Sequence, residues 1–293
     1  MPETAVDLVK RQTWLDSVAS GLGSAVDTAL GAAGPARKPV ENVLNGVWLG
    51  HPLHPVLVTI PIGSWSLAAV LDGLEAASGR RDLGPAADLA VGVGVIGAVA
   101  SAVAGAADWQ HTSGDTRRIG AMHALLNAGA AALYTTSWLL RRRGKRSAGR
   151  GLASIGFAVA NASAYLGGHL VYGERIGVTH AVAPPEPRDF VDVLAEADLA
   201  DRTPRRVTVA GQPVVLVRDG GRIDALAEVC SHLGGPLAEG AVEDGSIRCP
   251  WHGSRFALED GRVLDGPATL PQPRYEARVR EGRVEVRRAP WGP

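Results

Sequence analysis

Four long apolar stretches set the hydropathy pattern of the first two thirds of the chain. They cover residues 56–77, 86–107, 120–140 and 151–172, and charged side chains are scarce within each of them. An α-helix of about 20 residues crosses the roughly 30 Å of hydrocarbon in a bilayer. The pattern therefore predicts an all-α four-helix transmembrane bundle over residues 51–175, in contact with membrane lipid.

The second stretch is dominated by small residues and reads VGVGVIGAVASAVAGAA. Small side chains let helix backbones approach closely where lipid removes the hydrophobic drive for association. The alternative is a soluble bundle of buried helices. Four consecutive apolar helices would then need a covering shell of protein that the rest of the chain does not supply.

Two stripes of polar residues follow helical spacing in the third and fourth stretches, namely His123, Asn127 and Tyr134, and Asn161, Tyr165 and His169. Polar groups within a membrane usually turn toward the interior of the bundle, so we expect both stripes to face inward. The carboxylates near the other helix ends, Asp72, Glu75 and Asp88, are expected to be solvated charges.

Residues 1–50 mix apolar and charged positions at helical spacing and lack the continuous apolar core of a signal peptide. They predict either an amphipathic helix at the membrane interface or a surface helix that packs on its own protein.

Loop charges give the expected sidedness. After four crossings, both ends of the bundle lie on one side, and the first and third loops lie on the other. Those loops carry most of the arginines near the membrane (Arg80, Arg81, Arg141, Arg142, Arg143, Arg146 and Arg150). The positive-inside rule makes their side cytoplasmic, so we expect a multi-pass protein of the cell membrane whose C-terminal domain is extracytoplasmic.

A change of pattern follows the fourth stretch. Residues 176–190 contain the proline-rich run APPEP at 183–187, which predicts a short stiff linker. Residues 191–290 then alternate short β-prone runs with turn dipeptides such as Asp219-Gly220 and Asp260-Gly261. This alternation predicts a small all-β domain.

Charge and cysteine content narrow the function classes. The chain has 30 basic and 30 acidic residues, so no net basic field attracts nucleic acid. Its two cysteines cannot build a disulfide framework, which leaves one bridge, two free thiols or metal ligation.

Both cysteines lie in Cys/His pairs within the β domain, Cys230-Ser-His232 and Cys249-Pro-Trp-His252. Thiolates are soft, strong donors and neutral imidazoles weaker ones, so two of each can hold a [2Fe-2S] cluster with unequal irons. A tetrahedral zinc site is the alternative that the residue types alone allow.

The two segments that contain these pairs, CSHLGGPL and CPWHGSRF, resemble the signature of the Rieske iron–sulfur family. The resemblance implies that Cys230 and Cys249 bind one iron and that His232 and His252 bind the other. Separately, HPLHP at residues 51–55 resembles the opening of an uncharacterised family of bacterial four-helix membrane proteins.

These features predict a membrane-anchored electron-transfer protein that exchanges electrons with a partner protein or quinone. It is expected to be a component of an oxidoreductase system and not a self-contained catalyst. No dinucleotide-binding glycine motif follows a predicted strand, and no domain for a second, mononuclear iron is evident.

Two alternatives remain open. The bundle itself could hold haem b, a metal or a quinone through some of His54, His123 and His169, with Asp108 as a possible partner. These imidazoles could instead bond carbonyls and headgroups at the interface. A redox sensor is the other alternative.

The loops also predict a reduction potential. The respiratory branch of the Rieske family braces its two loops with a disulfide, but Gly235 and Trp251 occupy those positions here. Ser254 is kept where that branch donates a hydrogen bond to a cluster sulfur, whereas its tyrosine is replaced by Phe256. Since such donors stabilise the reduced cluster, we expect a potential in the lower or middle part of the Rieske range. A redox titration that gave a value like those of quinol-oxidising respiratory proteins would contradict this.

Overall fold

The computed structural model describes residues 4–181 and 189–289, which form two compact units. The helical unit comprises Met1–Arg37 and Leu53–Glu174, and the β unit comprises Lys38–Pro52 and Arg175–Pro293. The predicted APPEP linker run at 183–187 lies outside the described residues. Residues 38–52 therefore pack with the β unit, although they precede the long helices in the chain.

Eight α-helices are described. They are α1 (Ala5–Lys10), α2 (Trp14–Gly31), α3 (Arg37–Asn45), α4 (Leu53–Leu57), α5 (Thr59–Ser78), α6 (Gly84–Trp109), α7 (Gly114–Arg142) and α8 (Arg146–Tyr172). The predicted order of an all-α region followed by a small all-β domain is confirmed. The number four describes only the long helices α5–α8, because shorter helices precede them.

Small residues on α6 seat the bulky side chains of α5, as the sequence predicted. A Cβ atom added at Gly94 would overlap the indole of Trp65, and one at Gly97 would lie 2.6 Å from Cγ2 of Ile60. Trp65 also stacks on Tyr134 of α7, with ring centroids 4.0 Å apart. The helices can therefore pack closely only because these positions lack side chains.

Two helical stretches are long and apolar enough to cross a membrane, Leu53–Ser78 and Arg81–Trp109, among the residues that the structure describes. Only 17% and 33% of their most apolar windows are buried in the protein, and Val70 and Ile96 are 58% and 73% exposed. A core helix of a soluble protein would be mostly buried. The third and fourth crossings stay predictions.

The polar stripe on α8 does not face inward as expected. Asn161 is exposed and Tyr165 is 57% exposed, whereas Ser163 and Leu166 are buried. The inward face of α8 is thus chosen by residues that fit against α7. The α7 stripe is different, because Tyr134 is only 1% exposed.

Helices α1 and α2 pack on the long helices. Val6 contacts Ile119 and Leu166, and Leu15 and Ala19 share a cluster with Ala121 of α7. Of the two interpretations of this segment, the packing supports a helix that docks on its own protein.

A buried network of ions joins α5, α6, α7 and α8. The Arg141 side chain is fully buried and pairs with Asp72 and with Asp88, the latter at 3.0 Å. Arg146 pairs with Asp88 at 2.5 Å and with Glu75 at 3.0 Å. The expectation of solvated carboxylates is therefore wrong, because arginines from the predicted third loop and its flanks turn back to pair with them.

Ten strands are seen in the described residues of the β unit: β1 (Val191–Ala195), β2 (Arg205–Val209), β3 (Gln212–Asp219), β4 (Arg222–Ala227), β5 (Ala241–Glu243), β6 (Ser246–Arg248), β7 (Arg255–Ala257), β8 (Val263–Asp265), β9 (Arg274–Arg280) and β10 (Arg283–Arg288). Six form an antiparallel sheet in the order β1-β10-β9-β4-β3-β2, and four form a second sheet in the order β5-β6-β7-β8.

Strand β3 is buried on both faces, which explains its continuous apolar run VVLV. Val214 and Leu216 belong to one apolar cluster, and Val215 and Val217 belong to another. The second cluster also contains Cys230 and Cys249, so the cysteines are fixed by the core of the domain.

We predict that Arg141→Ala lowers the free energy of unfolding by about 3–5 kcal/mol, since it removes the fully buried cation that pairs with Asp72 and Asp88 and leaves both carboxylates to Arg146. Thermal and denaturant unfolding of the detergent-solubilised protein, followed by helical circular dichroism, measures the change. Arg143→Ala, at an exposed position of the same turn, is the matched control. Equal stability of the two variants would contradict a stabilising role for the network.

Candidate metal centre

The four predicted ligands lie on two loops of the β unit. The first loop, residues 230–235, leaves β4, and it is closed by two backbone hydrogen bonds. The Cys230 N–H donates to the Gly235 carbonyl at 2.8 Å, and the Gly234 N–H donates to the Cys230 carbonyl at 3.0 Å. Gly234 has φ +81°, a value that residues with a Cβ rarely adopt.

The second loop, residues 249–254, joins β6 to β7 and repeats this pattern. The Cys249 N–H donates to the Ser254 carbonyl at 2.8 Å, and the Gly253 N–H donates to the Cys249 carbonyl at 3.1 Å. Gly253 has φ +75°. Each cysteine therefore begins an equivalent turn, although the histidine follows two residues later in the first loop and three residues later in the second.

The loops bring the two imidazoles together. The ring centroids of His232 and His252 are 5.1 Å apart, and the rings are nearly perpendicular. Burial holds the pKa of His252 below its ordinary value, which favours the neutral ring that a metal ligand requires. Both histidines are half-buried, whereas the neighbouring Trp251 is 57% exposed. The imidazole side of the site thus faces the solvent.

Cys230 and Cys249 form the inner side. Both are free thiols and are 1% and 2% exposed. The hydrogen bond between them raises the pKa of Cys230, which burial raises further, and lowers the pKa of Cys249 to about 7. Backbone N–H groups of Trp251 and His252 also favour the Cys249 thiolate. One thiolate is therefore available near neutral pH, and a bound cation would favour the second.

A third segment, residues 265–272, braces the first loop. The Ser231 N–H donates to Oε1 of Gln272 at 2.7 Å, and the Ser231 hydroxyl donates to the Leu270 carbonyl at 2.7 Å. Nε2 of Gln272 donates to the carbonyls of Ala227 and Val229. We call residues 265–272 the bracing segment.

The bracing segment also reaches the second loop. The Ala268 N–H donates to Oγ of Ser254 at 3.0 Å, and both residues are buried. Sequence reasoning missed Gln272 and Ala268. The run Pro271-Gln272-Pro273 could have indicated this role of Gln272. Prolines have no backbone N–H, so the side-chain amide between them is the group that can donate to nearby carbonyls.

The donor set suits a two-iron cluster, because two thiols and two imidazoles lie together on the two loops. A two-iron cluster needs two protein ligands on each iron. Space is also reserved beside the thiols, because a Cβ atom at Gly235 would lie 2.7 Å from Sγ of Cys249.

Two histidines of the helical unit join neighbouring helices. Nδ1 of His54 is 2.8 Å from the Ser101 carbonyl, and Nδ1 of His123 is 2.9 Å from the Ser163 carbonyl. His169 contacts Glu174 at 3.3 Å. The contacts of His54 and His123 agree with the alternative in which these imidazoles bond carbonyls. A haem or quinone in the bundle stays a prediction.

Comparisons with known proteins agree with the fold and the donor set, which together define an iron–sulfur domain of the Rieske type. Residues 189–276 match the family described as Rieske [2Fe-2S] domain, and residues 50–180 match the family described as predicted membrane protein (DUF2231). The chain therefore belongs to the Rieske [2Fe-2S] family through its β domain, which is joined to a DUF2231 domain.

Two ferredoxins are similar to the β domain along most of their length. Ferredoxin CarAc of Metapseudomonas resinovorans is 34% identical over 98 residues, which are 33% of this chain and 92% of that protein. The anthranilate 1,2-dioxygenase ferredoxin subunit of Burkholderia cepacia is 36% identical, over 34% of this chain and 88% of that protein. The family's cofactor, a Rieske [2Fe-2S] cluster, is thereby assigned to this chain.

Other relatives match over smaller shares. Human apoptosis-inducing factor 3 is 33% identical over 41% of this chain, which spans only 20% of that protein. Among solved structures, the ferredoxin of carbazole 1,9a-dioxygenase from Nocardioides aromaticivorans IC177 is 30% identical, with a TM-score of 0.33, over 33% of this chain and 95% of its own.

We predict that Gly235→Ala prevents cluster incorporation almost completely, because its methyl group would intrude on Cys249. Iron and sulfide content of the purified protein measures this. Gly221→Ala is the control, because it adds a methyl group in the β3–β4 turn, at φ +90°, with no atom within 4 Å of the added Cβ. A variant at 235 that binds as much iron as this control would refute the steric argument.

Proposed function

We propose that this chain is a membrane-anchored electron-transfer protein in which Cys230 and Cys249 hold one iron of the [2Fe-2S] cluster, and His232 and His252 hold the other. The observation that carries this assignment is the pair of equivalent turns, each of which begins at a buried thiol and presents an imidazole toward the other. When bound, the cluster takes up and releases a single electron.

The burial of the site supports a direction for electron exchange. The thiols belong to the apolar core, whereas the imidazoles are half-buried and lie beside the exposed indole of Trp251. Electron transfer is favoured where the path to a partner is short. A redox partner protein or a quinone therefore docks on the imidazole side, with Trp251 in the contact.

The names of similar proteins support another protein as the redox partner of this chain. One relative is the iron–sulfur subunit of a cytochrome b6-f complex from Chlorobaculum tepidum, which is 29% identical over 61% of its length, and another is a dioxygenase ferredoxin subunit. Both names describe a protein that is one subunit of a larger assembly. This chain likewise passes electrons to a second protein.

Membrane anchoring rests on the apolar outer faces of α5 and α6. Leu67, Val70 and Leu74 on α5 and Leu89, Ile96 and Val99 on α6 are each more than half exposed. Such faces need lipid or protein to cover them. We infer a multi-pass anchor in the cell membrane, with the Rieske domain on the extracytoplasmic side as the loop charges predict.

Electron paramagnetic resonance of the reduced, detergent-purified protein tests the assignment. We expect a Rieske-type signal that is lost in His252→Ala, because one iron then lacks a ligand, and that persists in His51→Ala, a control at an exposed histidine of the same unit. A wild-type protein that is colourless, or that holds zinc when iron and sulfide are ample, would overturn the proposal.

The same preparation addresses the alternatives. A pyridine haemochrome spectrum without haem argues against a haem oxidoreductase, whereas stoichiometric haem would favour it. Release of the protein from membranes by alkaline carbonate would contradict the anchor. Co-purification of a signalling partner that dissociates on reduction would favour a redox sensor.

A further inference from the structure

Side chains of helix α3 form hydrogen bonds with the bracing segment, although some 220 residues separate the two in the chain. Oδ1 of Asn42 accepts a hydrogen bond from the Gly266 N–H at 2.9 Å, and Nδ2 of Asn42 donates to Oδ1 of Asp265 at 2.9 Å. Nζ of Lys38 donates to the Gly266 carbonyl at 2.6 Å. Both backbone polar groups of Gly266 are therefore held by side chains of α3.

Close packing reinforces these bonds. Gly266 is buried, and a Cβ atom at this position would lie 2.9 Å from Cγ2 of Val47 and 3.3 Å from Nδ2 of Asn45. Lys38 is partly buried at the same contact, which lowers the pKa of its ammonium group. The polar groups of Asn42, Lys38 and Gly266 are partly buried and paired, and such pairing favours a single arrangement, since a shift breaks at least one of the bonds.

Asp265 and Gly266, which α3 holds, lie a few residues before the positions of the bracing segment that contact both cluster loops. Two residues beyond Gly266, the Ala268 N–H donates to Oγ of Ser254 in the second loop. Four residues beyond it, the Leu270 carbonyl accepts from the Ser231 hydroxyl in the first loop. No disulfide can share this task, because both cysteines of the chain are the proposed ligands.

We propose that Asn42 and Lys38 are positioning residues of the iron–sulfur site, acting on it through Gly266, Ala268 and Ser254. This inference rests on the proposed function. Since Oγ of Ser254 accepts the Ala268 N–H, its own proton must point away from Ala268. The bonds of Asn42 and Lys38 to Gly266 thus restrict the direction in which this buried hydroxyl can donate.

The role of Asn42 can be tested by exchanging the donor and the acceptor between residues 42 and 265. Asn42→Ala removes both bonds, and Asn42→Asp keeps an acceptor for Gly266 but sets a carboxylate against Asp265. The double variant Asn42→Asp/Asp265→Asn restores the pairing in reverse. The new amide can donate to residue 42 while its oxygen still accepts from Arg255, the present partner of Asp265. Val43→Ala, at a 55% exposed position of α3, is the control.

Three readouts are expected to change together. Relative to the control, Asn42→Ala and Asn42→Asp should lose the cluster to a chelator several-fold faster, show a broader resonance signal and have a lower midpoint potential, because the Ser254 donor is no longer fixed. The double variant should recover most of each change. In a Ser254→Ala background, Asn42→Ala should no longer lower the potential.

Hydrogen exchange of the full-length apoprotein gives a measurement that needs no cluster. The backbone amides of the non-proline residues in 265–272 should exchange several-fold faster in Asn42→Ala than in Val43→Ala, since opening of the segment exposes them. If exchange, cluster loss and potential all match the control while the wild type has its Rieske signal, this inference fails and the proposed function stands. If the wild type has no Rieske signal, the proposed function fails first.

Discussion

The structure of the β domain depends on holding two buried thiols and two imidazoles at fixed positions without a covalent bridge between their loops. Each loop first constrains itself, since the same two backbone hydrogen bonds close both turns. The bracing segment then contacts each loop at a serine, Ser231 in the first through two hydrogen bonds and Ser254 in the second through one. Hydrogen bonds within the buried core hold the two loops in place without a disulfide. Breaking any one of them would leave a buried polar group without a partner, which costs free energy.

The same constraint governs the helical unit. Where polar side chains leave water they are paired, as Arg141 is with Asp72 and Asp88, or bonded to a carbonyl of another helix, as His54 and His123 are. The outer faces of α5 and α6 carry apolar side chains instead. This division between a paired polar interior and an apolar exterior is what a lipid solvent requires, since it offers no partner to a polar group.

The β unit is built from segments that lie before and after the long helices in the chain. Residues 38–52 precede the long helices, yet they belong to the β unit, and residues 175–181 rejoin it after the helices. In the latter segment, the His180 N–H donates to the Ser231 carbonyl of the first loop at 3.0 Å. The metal centre is therefore supported by segments from both sides of the helical region, and not by the compact Rieske segment alone.

The sequence by itself determined the two-part architecture, the long helices and the Cys/His motifs, because helical length, apolar composition and ligand spacing are local properties of the chain. It also suggested close helix packing, since small residues on α6 are visible as such. Tertiary structure alone decided which face of α8 turns inward, that Arg141 is buried with carboxylates, and that Gln272 and Asn42 support the loops. Each of these features depends on contacts between residues that are far apart in the sequence. The sequence shows that a side chain needs a hydrogen-bond partner, but it does not show which residue that partner is.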